Sequence, residues 1–347
     1  MDLRPIMADR GWFYHLCATA IALATCSMNP CAGSRNQQCR KDLTPGRLRI
    51  SPVPIQAKSS SNVTVRVTAI SLNRGEIKRA LTVAEDGWRP GWDFTGIVED
   101  TVAEGKGPKI GARVVGMLAS GAWAERIRAP SVSLAEIPQG VTEAQAATLP
   151  VAGLTALHAL RKGGLLLGKK VLIDGASGGV GHLAVQLANA SGAIVYGHVR
   201  REDQRDAILQ SCTGGVVIGA TLEAARASGP YDLILDSVGG TTLAAALTML
   251  RTAGTCVTFG VSESPNSTIE SGVFFRQGGV KLYGLILFDE LMRVEPAGEG
   301  LSVLLRQVQQ KLLVPQIEIE APWTEINKIA QQLIDRKYLG KAVLRVG

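Results

Sequence analysis

A chain of 347 residues can hold two domains and bury substantial cores, and 46% hydrophobic with 19% charged residues is ordinary for a folded protein and excludes a disordered one. The formal net charge of +7 does not point to nucleic acid, because the basic residues are scattered rather than gathered into a stripe and only 5% of residues are aromatic. A small polyanionic ligand would use the same positive potential.

Residues 1–42 differ from the rest. They carry four of the six cysteines (Cys17, Cys26, Cys31, Cys39) and an apolar stretch from Leu16 to Cys26 that is too short to span a bilayer. A secretory core behind Arg10, a lipid-attachment site at the Ala-Thr-Cys ending and a metal cluster all stay open. Against the first, His15 sits at the edge and no clean cleavage site follows; against the last, the cysteines lack a paired two-residue gap. The reading adopted is a poorly ordered or targeting-like extension that carries none of the chemistry. With Cys212 and Cys256 expected as small buried hydrophobes in a reducing compartment, the protein is read as cytoplasmic, with no membrane partner.

Residues 43–153 alternate short strands with Gly and Pro: Val63 to Ala69, Thr95 to Asp100, Arg113 to Gly116 and Trp123 to Ile127. Such spacing predicts a compact, partly barrel-like β domain.

Residues 154–288 change character. Val171 to Gly181 reads Val-Leu-Ile-Asp-Gly-Ala-Ser-Gly-Gly-Val-Gly, an apolar run ending in a glycine-rich turn, and a helix-forming stretch, His182 to Ala190, follows at once. Buried parallel strands read this way, and small residues let the backbone approach a pyrophosphate at a helix N-terminus. The fingerprint is slightly degenerate, with Ala176 at its first glycine position and Gly178 and Gly181 at the others. Ser177, Gly178, Gly179, Val180 and Gly181 are the expected phosphate-binding turn. Further strands are predicted at Ala193 to Val199, Val216 to Ile218, Asp232 to Asp236, Cys256 to Gly260 and Val280 to Leu287. This alternation predicts an α/β fold with a doubly wound, Rossmann-type parallel sheet that binds a dinucleotide.

The end of the second strand bears on the cofactor. An acid there would favour NADH, but Val199 holds the position and Arg200 and Arg201 follow, with guanidinium forks that match a 2′-phosphate. NADPH is the expected cofactor. Glu202 and Asp203 compete for the ribose, being near the expected spacing from Gly181, but they lie beyond the arginines and are read as the N-terminal acids of the next helix; solvated surface charge is the other reading of the arginines.

Residues 289–347 return to the first domain: a helix (Glu299 to Lys311), a strand (Gln316 to Ala321), an amphipathic helix (Thr324 to Lys337) and a last strand (Ala342 to Val346). The nucleotide unit is thus inserted between two pieces of a β-rich domain.

From about Leu43 onward the chain resembles the medium-chain dehydrogenase/reductase superfamily, and within it the zinc-free quinone oxidoreductase branch. The stretches that carry the resemblance include Ile70-Ser-Leu-Asn-Arg-Gly-Glu76, Arg89-Pro-Gly-Trp-Asp-Phe-Thr-Gly-Ile-Val98, Leu149-Pro-Val-Ala-Gly-Leu-Thr-Ala156, Ala176-Ser-Gly-Gly-Val-Gly181, Asp236-Ser-Val-Gly-Gly240 and Gly340-Lys-Ala-Val-Leu344. It departs at the start, where relatives open with a β-strand and the Cys-rich stretch stands here. The resemblance implies a GroES-like catalytic domain around the nucleotide unit, and relatives are commonly homodimers. A zinc-dependent relative would offer Cys, His and Glu ligands where this chain has Leu72, Asn73, Trp92 and Asp93, so no metal is expected. His15, His158, His182 and His198 are scattered, the second and third read as packing or capping residues.

Without a Lewis acid, hydride addition to a quinone or an α,β-unsaturated carbonyl is easier than alcohol oxidation. The resemblance places Asn73 beside the nicotinamide as the catalytic candidate, with a turn-stabilising role as the alternative, and Thr155 facing the cofactor or capping a helix. Relatives often supply a tyrosine a few residues after Asn73; Ile77 to Gly87 has none, which leaves the proton donor unassigned. Trp92 and Trp123 are candidates for the acceptor wall or the core. Two other readings stay open: an enoyl-thioester or alkene reductase, and a non-catalytic NADPH-binding sensor or structural protein.

Overall fold

The computed structural model describes residues 36–41, 48–55, 61–101 and 107–347. Cys17, Cys26, Cys31 and the apolar stretch Leu16 to Cys26 lie outside the described residues. Asn36–Lys41 (β1) pairs antiparallel with Leu48–Val53 (β2), so the last residues of the expected untidy extension form a strand instead, with Cys39 fully buried in the β-rich core. Five polar residues around the single Cys39 hid that strand from a hydrophobic-period reading.

The β-rich lobe is a sheet of Asn62–Ser71 (β3), Asp93–Asp100 (β4), Arg113–Met117 (β5), Arg126–Pro130 (β6) and Leu134–Glu136 (β7), to which the chain's last two strands later return. Helix α1 (Arg74–Thr82) follows β3. Its charged residues mask the one buried stripe, Glu76, Ile77 and Ala80, so no apolar period announces it. Trp123, expected to open a strand, lies before β6 instead and is fully buried.

Chain then crosses to the second lobe through a continuous helical run: α2 (Glu143–Ala147), a wide π-turn over Leu149–Gly153 and α3 (Leu154–Arg161). The expected boundary at 153/154 falls inside this run. Next come Lys170–Asp174 (β8), α4 (Gly181–Ala190), Ile194–Val199 (β9), Gly215–Ile218 (β10), Tyr231–Asp236 (β11), α5 (Gly240–Thr248), Leu250–Thr258 (β12), α6 (Ser271–Gln277) and Lys281–Gly284 (β13). The strands form one parallel sheet in the order β10-β9-β8-β11-β12-β13, and Val171, Leu172 and Ile173 of β8 are fully buried because helices cover both faces. The run from Val280 to Leu287 is not one strand: it stops at Gly284 and Leu287 opens α7 (Leu287–Arg293).

The chain closes with α8 (Ala297–Gln309), Ile317–Pro322 (β14), α9 (Ile326–Ile334) and Lys341–Arg345 (β15). The β14 and β15 strands complete the first lobe's sheet in the order β14-β15-β3-β4-β5-β7, with β6 on β3. This return of the chain brings Gly340, just before β15, to Ser177: the Gly340 N–H donates to the Ser177 carbonyl at 3.1 Å. Among the described residues no helix is long and apolar enough to cross a membrane.

Candidate active site

Strand order reverses between β8 and β11, the switch point at which parallel sheets open a crevice above the strand ends. The glycine-rich turn lies there. The tight-turn conformation falls on Gly175, at φ +67°, rather than on Ala176, which explains how the fingerprint tolerates alanine. Gly181 cannot be replaced without movement, since a Cβ there would lie 2.2 Å from the Gly175 carbonyl oxygen. A Cβ on Gly178 would sit 3.2 Å from that same oxygen, and one on Gly179 would sit 3.2 Å from the Lys341 side chain. The turn therefore offers backbone rather than side chains to the crevice, and the first turn of α4 leaves N–H groups without intrahelical acceptors. These residues fit a pyrophosphate.

His182, on the first turn of α4, fastens this turn to the other lobe. Its Nδ1 faces the Gly178 carbonyl at 2.9 Å, and its Nε2 accepts the Gln316 N–H at 3.1 Å. Only a neutral imidazole carrying its hydrogen on Nδ1 satisfies both contacts. Burial accordingly lowers its pKa to about 4.

Facing the turn is a buried polar cluster contributed by both ends of the β-rich lobe. Glu76, Asp93 and Lys341 are 0%, 0% and 2% exposed. Lys341 Nζ donates to the Asn73 Oδ1 at 2.6 Å and the Leu72 carbonyl at 3.0 Å, and stands 3.6 Å from Asp93 Oδ2. The Asn73 amide donates to Asp93 Oδ2 at 2.7 Å and Glu76 Oε1 at 3.1 Å. Ser71 Oγ donates to Asp93 at 2.9 Å, and the Val151 N–H, swung out by the π-turn, reaches Asp93 Oδ1 at 3.0 Å. Burial, then the charge of Asp93, pushes the Glu76 carboxyl well above the usual range. Desolvation likewise raises Asp93 and lowers Lys341, each opposed by the partner's charge. Two carboxyls and one ammonium shielded from bulk solvent make a network whose members depend on one another.

Both N–H groups of Asn73 are spent inside this cluster, so the residue borders the crevice as an anchor of the β3–α1 turn and has no free donor for an acceptor oxygen. Sequence reading missed Glu76 and Lys341. The closing Gly-Lys-Ala-Val-Leu motif was visible, but nothing local links Lys341 to Asn73, 268 residues away.

Thr155 is 6% exposed within the first turn of α3, whose N-cap position is Gly153; it caps nothing. Arg201 is paired with Asp203, its Nε 3.0 Å from Asp203 Oδ1 and its Nη2 3.2 Å from Oδ2. Arg200 belongs to a different group. Burial, then the charges of Arg200 and Arg74, lower the pKa of Arg336, so guanidinium groups from three segments of the chain feel one another's charge. Arg74 donates to the Leu333 and Ile334 carbonyls and Arg336 to that of Ser262. Glu202 and Asp203 start only a single 3-10 turn, Glu202–Gln204. Trp123 is core: Gly91, at φ +117°, packs so closely that a Cβ would lie 2.2 Å from the Trp123 nitrogen. Trp92 by contrast is partly exposed and meets Phe288 of α7. His198 faces oxygens on both sides, Asp174 at 2.6 Å and the Gly219 carbonyl at 3.0 Å, bracing the end of β9. Cys212 and Cys256 are buried, as expected.

A parallel sheet with a glycine turn at its switch point, facing a β-rich lobe that carries a buried polar cluster, defines a dinucleotide-binding oxidoreductase. Residues 179–297 match the family described as zinc-binding dehydrogenase, and residues 59–139 match the alcohol dehydrogenase GroES-like domain. The chain belongs to the medium-chain dehydrogenase/reductase superfamily. It is 31% identical over 314 residues to a mycocerosic acid synthase-like polyketide synthase of Mycobacterium tuberculosis, covering 86% of this chain and 14% of that one. The chain thus spans about a seventh of that synthase's length. It shares its fold with the quinone oxidoreductase of Coxiella burnetii (TM-score 0.76, 24% identity, 90% of this chain and all of that one). A mycobacterial protein solved in complex with NADPH is similar as well (TM-score 0.77, 25% identity, 90% and 100% covered).

Proposed function

We propose that the protein transfers hydride from NADPH to a quinone or an α,β-unsaturated carbonyl without a metal. The observation that carries this is the fate of Asn73 and Asp93. Both are consumed by the Lys341 cluster, and their neighbours Leu72 and Trp92 offer no metal-binding atom, so the nicotinamide end of the crevice supplies packing and dipoles rather than a Lewis acid. Conjugated acceptors suit such a site, because the charge that hydride creates spreads to a distant oxygen.

Bound NADPH would supply the hydride from its nicotinamide C4. Ser177 to Gly181 hold the pyrophosphate against α4, and Arg200, with Arg336 and Arg74 beside it, draws the 2′-phosphate. Thr155 and Asn73 border the nicotinamide half, the latter as a positioning residue locked by Glu76, Asp93 and Lys341. An enone would gain hydride at its β carbon and a solvent proton at its α carbon, with NADP+ as the other product. With no tyrosine in the stretch after Asn73, water delivers that proton. The protein is read as cytoplasmic. A second reading, reduction of enoyl thioesters, is favoured by the polyketide synthase relative and uses the same geometry.

Purified protein mixed with NADPH or NADH and a quinone, an enone, an enoyl thioester or a simple alcohol separates these readings through the reduced-nicotinamide absorbance. Turnover of the conjugated acceptors is expected. Alcohol oxidation that a chelator abolishes would sink the metal-free reading. Arg200→Ala should weaken NADPH by roughly tenfold or more and leave NADH nearly unchanged, as loss of a charge-assisted hydrogen bond demands. Arg201→Ala should change neither, because a phosphate would have to displace Asp203; calorimetric titration with both coenzymes decides this.

A further inference from the structure

A dinucleotide whose 2′-phosphate lies near Arg200 after β9 and whose pyrophosphate lies at the β8 turn must extend its nicotinamide toward the far side of the switch, over β11 to β13. At that end the chain leaves β13 through Ile286, which is 62% exposed, and enters α7. Phe288 of α7 meets Trp92 edge to face, with ring centroids 5.4 Å apart and planes at 71°. Trp92 belongs to the β-rich lobe and Phe288 to the nucleotide lobe, so this contact spans the crevice.

The indole is not free to swing aside. Its backbone N–H donates to Glu76 Oε2 at 2.9 Å, its Nε1 donates to the Ala119 carbonyl at 3.0 Å, and its six-membered ring lies 3.2 Å from where a Cβ on Gly75 would stand. The Nε1 hydrogen bond ties the ring to its own lobe, the bond to Glu76 fixes the backbone that carries it, Gly75 leaves room for it to lie close, and the edge-to-face contact joins it to the other lobe.

We propose that the Trp92–Phe288 pair is the end wall of the acceptor pocket and sets the acceptor class, admitting compact, flat conjugated carbonyls and quinones and turning away long-chain enoyl groups. This rests on the hydride-transfer reading above. A flat ring or short enone would have room beside the nicotinamide short of the wall. A long acyl chain running toward α7 has to separate the two rings, break the Nε1 hydrogen bond or bend back toward solvent.

The test uses the full chain and three variants, Trp92→Ala, Phe288→Ala and Gly75→Ala, against a short-chain and a long-chain enone with NADPH. Independently of turnover, calorimetry measures how the matching saturated ketones bind to protein loaded with NADP+. In Trp92→Ala and Phe288→Ala the long-to-short ratio of kcat/KM, and of ketone affinity, is expected to rise by roughly tenfold or more, the scale of opening an apolar pocket. Gly75→Ala, which crowds the ring instead of deleting it, should leave the ratio at or below the native one. Should Trp92→Ala fail to fold, the partly exposed Phe288 carries the test alone. Parallel changes for both chain lengths, or a native preference for the long chain, overturn the proposal. Turnover of no acceptor alongside the expected shift in ketone affinity overturns the hydride-transfer reading and leaves the wall standing; binding of neither ketone overturns both.

Discussion

Lys341→Met is expected to destabilise the protein by about 3–5 kcal/mol, the cost of leaving buried carboxylates without their cation. Lys341 is 2% exposed and its ammonium is shared among Asn73, Leu72 and Asp93, so methionine of similar volume fills the space but satisfies none of these atoms. Urea unfolding reads the loss. Adding Asp93→Asn to the variant should recover part of it, because an amide removes the stranded charge, its one oxygen still accepts from the Val151 N–H, and its NH2 can donate to the Ser71 hydroxyl. A single substitution that costs less than about 1 kcal/mol, the range of a surface ion pair, would show that the cluster is hydrated and unimportant.

Acid should weaken the fold through His182. Its pKa falls from 6.5 in the unfolded chain to about 4 in the folded one, so the unfolded state takes up the proton first. The stability it contributes is complete above pH 6.5, declines as pH drops, and is lost once pH passes about 4, a total of about 3 kcal/mol. Protonated Nε2 would set an N–H against the Gln316 N–H. His158, also lowered by burial, acts in the same direction. Glu76, Asp93 and Asp236 act oppositely: burial raises them, so they bind protons earlier in the folded state and gain stability as pH falls through the same range. The share of His182 is therefore read as a difference. His182→Gln keeps an acceptor for Gln316 but does not titrate, and the native chain should lose stability relative to it as pH falls from neutral to about 4. A pH-independent gap between the two proteins would refute the neutral, wedged imidazole.

Much of the nucleotide lobe was legible because its signals are local. Val171 to Ile173 are apolar on both faces, which only a doubly covered strand tolerates, and the glycines after them answer to steric limits set within the same turn. Even the degenerate Ala176 is explained one residue away, at Gly175. Elements whose stability comes from distant partners were not legible. Strand β1 reads Asn-Gln-Gln-Cys-Arg-Lys and is held by β2 and by the turn around Trp123; α1 is polar along most of its length and is held through its Glu76 by the Trp92 N–H and through its Arg74 by the Leu333 and Ile334 carbonyls. The run Val280 to Leu287 was misread as a single strand because an apolar helix start and an apolar strand end look alike.

Sequence by itself determined the class of ligand and the type of sheet, since backbone sterics at Gly175 to Gly181 and hydrophobic runs in β8 to β12 act over a few residues. Tertiary structure alone decided which groups work together: Lys341 with Asn73 and Asp93, Arg336 with Arg200 and Arg74, Trp92 with Phe288. It also turned Arg201 toward Asp203 and sent Trp123 into the core. Coulomb forces and packing depend on distance in space, and the chain sets those distances only after its last strands return to join the first lobe.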